Sequence, residues 1–334
     1  VKFIKPFNIT ESLGISKPSI ILADFLSNRV YQDFTDFFPL DKKRINIEDS
    51  IKWKTIKDNL SSSDLKIWIG FPIVEFLLKI RFQKDVRFAD KKSRYSVGGE
   101  FFRFSKSGSD RFSFISGDGD PSIRINMGIS IEIAKSFSEN DFDDLYTHIN
   151  STILHELNHA YEYFKRNHAP DQSLGVASVT LKNPDNSSIS DQLFEEWENF
   201  TYLLYYSDPV EVNAMSQESL GHLDDANGVP SRIPAWDWAE KMVQFSAKRS
   251  IEKLLSLADG DKSKLDLLKD SFNKRLKVVI NADKGYKWPA KSVENFKKIE
   301  KLNWIQLIKS SEDRIHSSGK RLKRNIIRLF SYDE

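Results

Sequence analysis

The sequence predicts a mixed α+β fold, on three observations. Residues 123–133 alternate strictly: Ile123, Ile125, Met127, Ile129, Ile131 and Ile133 are separated by Arg124, Asn126, Gly128, Ser130 and Glu132. Period-two alternation is the pattern of a strand with one buried face. Residues 141–164 instead repeat at helical spacing, with Ile149, Ile153, Leu157, Ala160 and Phe164 forming an apolar stripe. Asp141, Asp143 and Asp144 open that segment, where the helix dipole favours negative charge. From Pro234 onward the chain is charged and helical in period.

Length and composition set the outer bounds. A chain of 334 residues can bury a substantial core in one large domain or two. The patterning divides it into a mixed N-terminal region over 1–94, a core over 95–225 and a helical region over 226–334. There is no cysteine, which excludes disulfides and thiolate metal sites, so any metal must be held by histidine and carboxylate. The net charge of +2 supplies no global field toward nucleic acid or a membrane surface, so neither is an expected partner. No apolar run reaches the roughly 18 residues of a membrane span. The start, Val1 to Phe7, lacks the apolar centre of a signal peptide, and its missing initiator Met hints at processing. The expected location is cytoplasmic or virion-associated.

In chain order, Ser16–Ser27 reads as a helix with its cap at the Ser/Pro start, and Gly70–Phe82 as a second, strongly apolar helix. The aromatics of this part, Phe34, Phe37, Phe38, Trp53 and Trp68, read as core. Residues 95–133 read as a β-meander: Glu100–Ser105, then Arg111–Ser116, then the alternating strand, with turns at Lys106–Asp110 and Gly117–Pro121. Gly117-Asp-Gly-Asp120 is too short for a calcium loop and reads as a hairpin turn. Residues 165–190 are rich in Asn, Asp, Ser and Pro and read as a loop. Ser190–Tyr206 is helical, and a new helix starts at Pro209 with Asp208 as its cap. Pro234–Leu255 reads as one helix, with others near 262–278, 291–299 and 302–328. Gly319–Phe330 is basic and amphipathic. It suits an acidic partner, nucleic acid or a membrane surface, but the plainer reading is the wet face of a packed terminal helix.

The chemistry is concentrated in His155-Glu156-Leu157-Asn158-His159. Residues four apart on a helix share a face, so His155 and His159 can reach one ion. Glu156, one residue round, can hold a water beside it as general base. Both histidines border the apolar stripe, so the helix would be backed by core and open on one side. His148 shares the face of His155 but lies two turns away, about 10 Å along the axis, too far for the same ion.

This motif resembles the zincin metallopeptidases, in which it lies on a central helix beneath a twisted sheet. The resemblance covers roughly residues 95–220. It implies zinc, a third protein ligand, an open position for water and a peptide or protein substrate. In that family an edge strand beside the site pairs with the substrate backbone, a role open to the strand 123–133, which can equally be an ordinary sheet strand. The metzincin pattern is absent, since Glu162 and Lys165 occupy its Gly and third His positions. Pro209-Val-Glu211-Val-Asn-Ala214 is similar to the glutamate helix of gluzincins and makes Glu211 the expected third ligand. The competing reading of Glu211 is a capping box with Asp208. Glu195, Glu196, Glu198 and His168 are the other candidates. Tyr161, Tyr163, Tyr202, Tyr205, Tyr206 and His222 are candidates for stabilising the oxyanion. The combination of motif and later Pro-x-Glu-x-x-Ala most resembles phage-encoded metallopeptidase-like proteins. The expectation is a zinc metallopeptidase with His155, His159 and Glu211 as ligands and Glu156 as general base. The alternative is a structural or virion-associated interaction protein that keeps the fold with little turnover.

Overall fold

A computed structural model of the chain describes residues 17–38, 42–71, 73–88, 93–101, 112–117, 120–165, 189–282 and 290–330. They form an α+β protein that packs as two compact units. The first draws on Val1–Phe164 and Gln217–Gly228, the second on Lys165–Ser216 and Val229–Phe330.

The first unit is built on a five-stranded mixed sheet of β1 (Arg44–Lys52), β2 (Ile73–Gln83), β3 (Tyr95–Phe101), β4 (Phe112–Gly117) and β5 (Asp120–Ile133). The alternating segment becomes β5, at the centre. β2 pairs with it in parallel along one side, and β1 pairs antiparallel with β2. On its other side β4 pairs antiparallel with residues 120–125 and β3 with residues 127–133. Three expectations change here. Residues 95–133 are no meander, because β3 and β4 share one side of β5. β5 is paired on both sides, so it cannot add a substrate strand, and the edge near its second half is β3. The apolar segment 70–82 is a strand: Phe76, Leu78, Ile80 and Phe82 alternate inward at 0–1% exposure, while Lys79 and Arg81 face outward. That period of two, following Pro72, outweighs the overall apolarity that suggested a helix.

Helices cover the inner face. Helix α1 (Lys17–Phe37) runs a full ten residues past the expected Ser27, because Val30, Phe34 and Phe37 continue the stripe begun by Leu22 and Leu26. Helix α2 (Trp53–Asn59) follows β1 directly. After β5 a 3₁₀ turn, Glu139–Asp141, leads into α3 (Phe142–Lys165), the predicted motif helix. Its Leu145, Ile149, Ile153, Leu157 and Ala160 are fully buried in one cluster with α1, Ile125, Met127, Ile129 and Ile131. Each such Leu, Ile or Met side chain contributes roughly 1.5–3 kcal/mol by leaving water.

The outer face of the sheet carries a buried acid. Glu75 is 1% exposed there and accepts hydrogen bonds from Lys52, Ser50 and Arg124. Burial pushes its carboxyl up, but these three bonds and the Arg124 charge outweigh it and hold the pKa at about 2.

The second unit is helical: α4 (Asp191–Tyr206), most of α5 (Pro209–Gly221), α7 (Pro234–Gln244), α8 (Ala247–Leu257), α9 (Lys262–Ala282), α10 (Ala290–Lys301) and α11 (Trp304–Phe330). The short α6 (Leu223–Ala226) belongs to the first unit. The segment 234–255 is two helices instead of one. Phe245 turns extended, and the Ser246 hydroxyl accepts from the Arg249 amide to cap the next helix. Asn303 and Gln306 exchange side-chain-to-backbone bonds of 2.9 and 3.0 Å to start α11. Leu307, Ile308, Ile315, Leu322, Ile326 and Leu329 bury one face of α11. Gly319 allows it to cross α7 closely, since a Cβ there would lie 2.7 Å from the Met242 Cβ. Among the described residues no helix is long and apolar enough to cross a membrane.

Candidate metal centre

The motif helix is fixed at its start. Ser138 and Asp141 form a capping box, and Arg94 reaches Asp141 at 2.8 Å. About four turns further on, the rings of His155 and His159 stand with centroids 4.8 Å apart, as the four-residue spacing requires. His159 and Glu156 are 5% and 6% exposed, at the border of the buried stripe.

Helix α5 lies against this stretch in antiparallel order. A Cβ at Gly221 would lie 2.2 Å from the Ser151 Oγ, so the two helices meet there at minimal distance. One turn back, His155 Nδ1 lies 3.1 Å from Glu218 Oε2. Next, the buried Gln217 amide donates to the Asn158 side-chain oxygen. A carboxylate can only accept, so the His155–Glu218 contact puts the ring proton on Nδ1 and the coordinating lone pair on Nε2. Glu218 was not among the residues expected from sequence. The signal that could have found it is its seven-residue spacing from Glu211, which puts both on one face of a helix.

Helix α5 begins as predicted. Pro209 takes the first helical position, and the Asp208 carboxylate accepts from the Val210 amide at 3.0 Å. The Asp208 amide donates to the Tyr205 carbonyl, which removes the need for Glu211 to close a capping box. Glu211 is 2% exposed. His155, His159 and Glu211 form a group in which one ligand-capable atom from each lies within 4.8 Å of the others, and among the described residues no other such group is found. Two imidazoles and a carboxylate are a donor set that suits zinc.

The other described candidates are not members of this group. Glu196 pairs with Lys253 at 2.5 Å, Glu195 is exposed, and Glu198 is pushed up by burial and by the Glu195 charge. Tyr161 packs on Trp68 and Phe71. Tyr202 and Tyr206 pack on Trp238, and Tyr205 on Tyr206. His168 and the Tyr163 side chain lie outside the described residues. His222, 3% exposed, stands edge-on to His148 at 4.8 Å. Burial and the His148 charge lower its pKa to about 4, against a smaller upward pull from Glu218. His148 Nδ1 in turn lies 2.9 Å from the Asp144 carbonyl and 3.0 Å from the Tyr95 hydroxyl.

Strand β3 approaches the motif from the sheet. Gly99 is exposed, and a Cβ on it would fall 2.6 Å from Thr152 Cγ2 and 2.7 Å from Glu156 Oε1. The Glu156 carboxylate therefore lies directly against the inner face of β3, which has no side chain at that point.

Comparison with family models, with curated proteins and with solved structures finds no match.

Proposed function

We propose that the chain is a zinc-dependent metallopeptidase that hydrolyses bonds in a peptide or protein substrate. The convergence of His155, His159 and Glu211 within 4.8 Å, with Glu156 adjacent in sequence, carries the reading. These three side chains would hold the zinc. When bound, zinc supplies Lewis acidity that polarises a carbonyl and acidifies water. Glu218 holds the His155 ring in the tautomer that presents Nε2. Glu156 takes a proton from the attacking water and delivers it to the leaving amine. A zincin-like reading of the fold is supported by the motif helix packing under a mixed sheet. It is supported further by the edge strand β3 beside Glu156, where an extended substrate can align its backbone.

The test begins with the metal content of the purified protein. Cleavage of casein is then followed with and without chelator. Glu156→Gln should keep the metal and lose cleavage by about 100-fold or more. A variant that cleaves like the wild type removes Glu156 as the base. A protein that holds metal but cleaves nothing returns the site to the virion-associated interaction reading.

A further inference from the structure

The near-neutral charge of the whole chain conceals a strong division. Residues 229–330 hold 24 Lys and Arg against 12 Asp and Glu, a net +12. Residues 1–228 hold 26 against 34, a net −8. A cationic segment of this size produces a local field that the total does not reveal.

Helix α11 uses its cations in two ways. Arg314 pairs with Asp208, and Lys323 pairs with Glu240 while covering the Trp236 ring. Those two belong to the packing of the helical unit. Lys320, Arg321, Arg324 and Arg328 are exposed, and among the described residues none of the four is in an ion pair. Arg321 donates to the Asn213 side chain at 2.7 Å, and Arg324 to the Lys320 carbonyl at 3.3 Å; both acceptors are neutral. Their spacing of three and four residues, with exposed Ser317 one turn earlier, puts them in one stripe along the helix.

We propose that this stripe binds the phosphate backbone of nucleic acid. Lys320 to Arg328 spans about 12 Å of helix axis, the length of three to four phosphates on one strand. A membrane surface fits less well. It would need the apolar face of the helix, yet Leu322, Ile326 and Leu329 are 0–3% exposed inside the unit, and Ile327 is the one large apolar side chain on the outer face. The stripe reads phosphate rather than bases, so the binding is independent of sequence. It is also independent of the proposed peptidase activity.

The test is fluorescence anisotropy of a labelled oligonucleotide, duplex and single-stranded, with the full chain over a range of salt. Lys320→Glu/Arg324→Glu/Arg328→Glu should weaken binding at least about tenfold at low salt, and should flatten the plot of log affinity against log salt by up to about 3. Lys262→Glu/Lys274→Glu/Lys297→Glu reverses as many exposed charges elsewhere and should change binding less. The corresponding Gln variant of the stripe, with unchanged thermal unfolding, separates lost contacts from lost folding. Glu156→Gln should bind like the wild type. The proposal is overturned if the wild type binds no oligonucleotide at low salt, or if both triple reversals weaken it equally. It is also overturned if the protein binds anionic vesicles and oligonucleotide does not displace it.

Discussion

The Nδ1 atom of His155 faces the Glu218 carboxylate at 3.1 Å, so an acid one turn from the end of α5 sets the tautomer of a ring on α3. Removing the acid leaves the ring free to rotate and to take its proton on the other nitrogen. Glu218→Ala should weaken zinc binding about 10- to 100-fold, and Glu218→Gln, which can still accept the bond, should weaken it less. Competition against a fluorescent chelator measures both. Equal affinity in all three proteins would remove Glu218 from the site.

Gly99 is the point where β3 and the Glu156 carboxylate touch. A methyl group there must displace either Glu156 or Thr152. Gly99→Ala should therefore lower kcat while leaving zinc content unchanged, since neither histidine is involved. An unaltered kcat would mean that Glu156 has room to move without consequence.

Gly221 is constrained by its neighbour on the opposite helix. Its Cβ would collide with the Ser151 Oγ at 2.2 Å, with the Ser151 Cα and Cβ next at 3.2 Å. Gly221→Ala should cost about 1–3 kcal/mol in urea unfolding. Adding Ser151→Ala should recover part of that, because the nearest atom is gone. Full additivity of the two losses would contradict the contact.

His222 makes stability depend on pH. Its folded pKa of about 4 is below the ordinary histidine value, so between about 4 and 6.5 the unfolded chain binds the extra proton. Stability therefore falls as pH drops through that window. The groups facing the ring are His148, which opposes its protonation, and Glu218, which favours it. His222→Asn should flatten the pH dependence of the urea midpoint between pH 6.5 and 4. An unchanged slope would assign the acid sensitivity to other groups.

The motif helix and its stripe were legible because one amphipathic helix writes its whole pattern into consecutive residues. The same holds for Pro209 and Asp208 at the start of α5. The sheet was harder. Phe76, Leu78, Ile80 and Phe82 lie in a segment that also holds Val74 at a register shift and Leu77 on the outer face, so apolarity hid the alternation. Strand order could not be read at all, because the parallel pairing of β2 with β5 joins residues about fifty apart. Glu218 and Gly99 escaped for the same reason. Each matters through a contact with α3 that local sequence does not record, whereas His155 and His159 announce each other four residues apart.

The parallel pairing of β2 with β5 also bears on the order of assembly. Such long-range closure is slow to form and offers no reward until both strands exist. During synthesis all five strands leave the ribosome before the first imidazole of the motif does, and Glu211 emerges some fifty residues later still. The strands are therefore free to pair before the proposed ligands have emerged, and any cation that the proposed site takes would be loaded at the end of biogenesis.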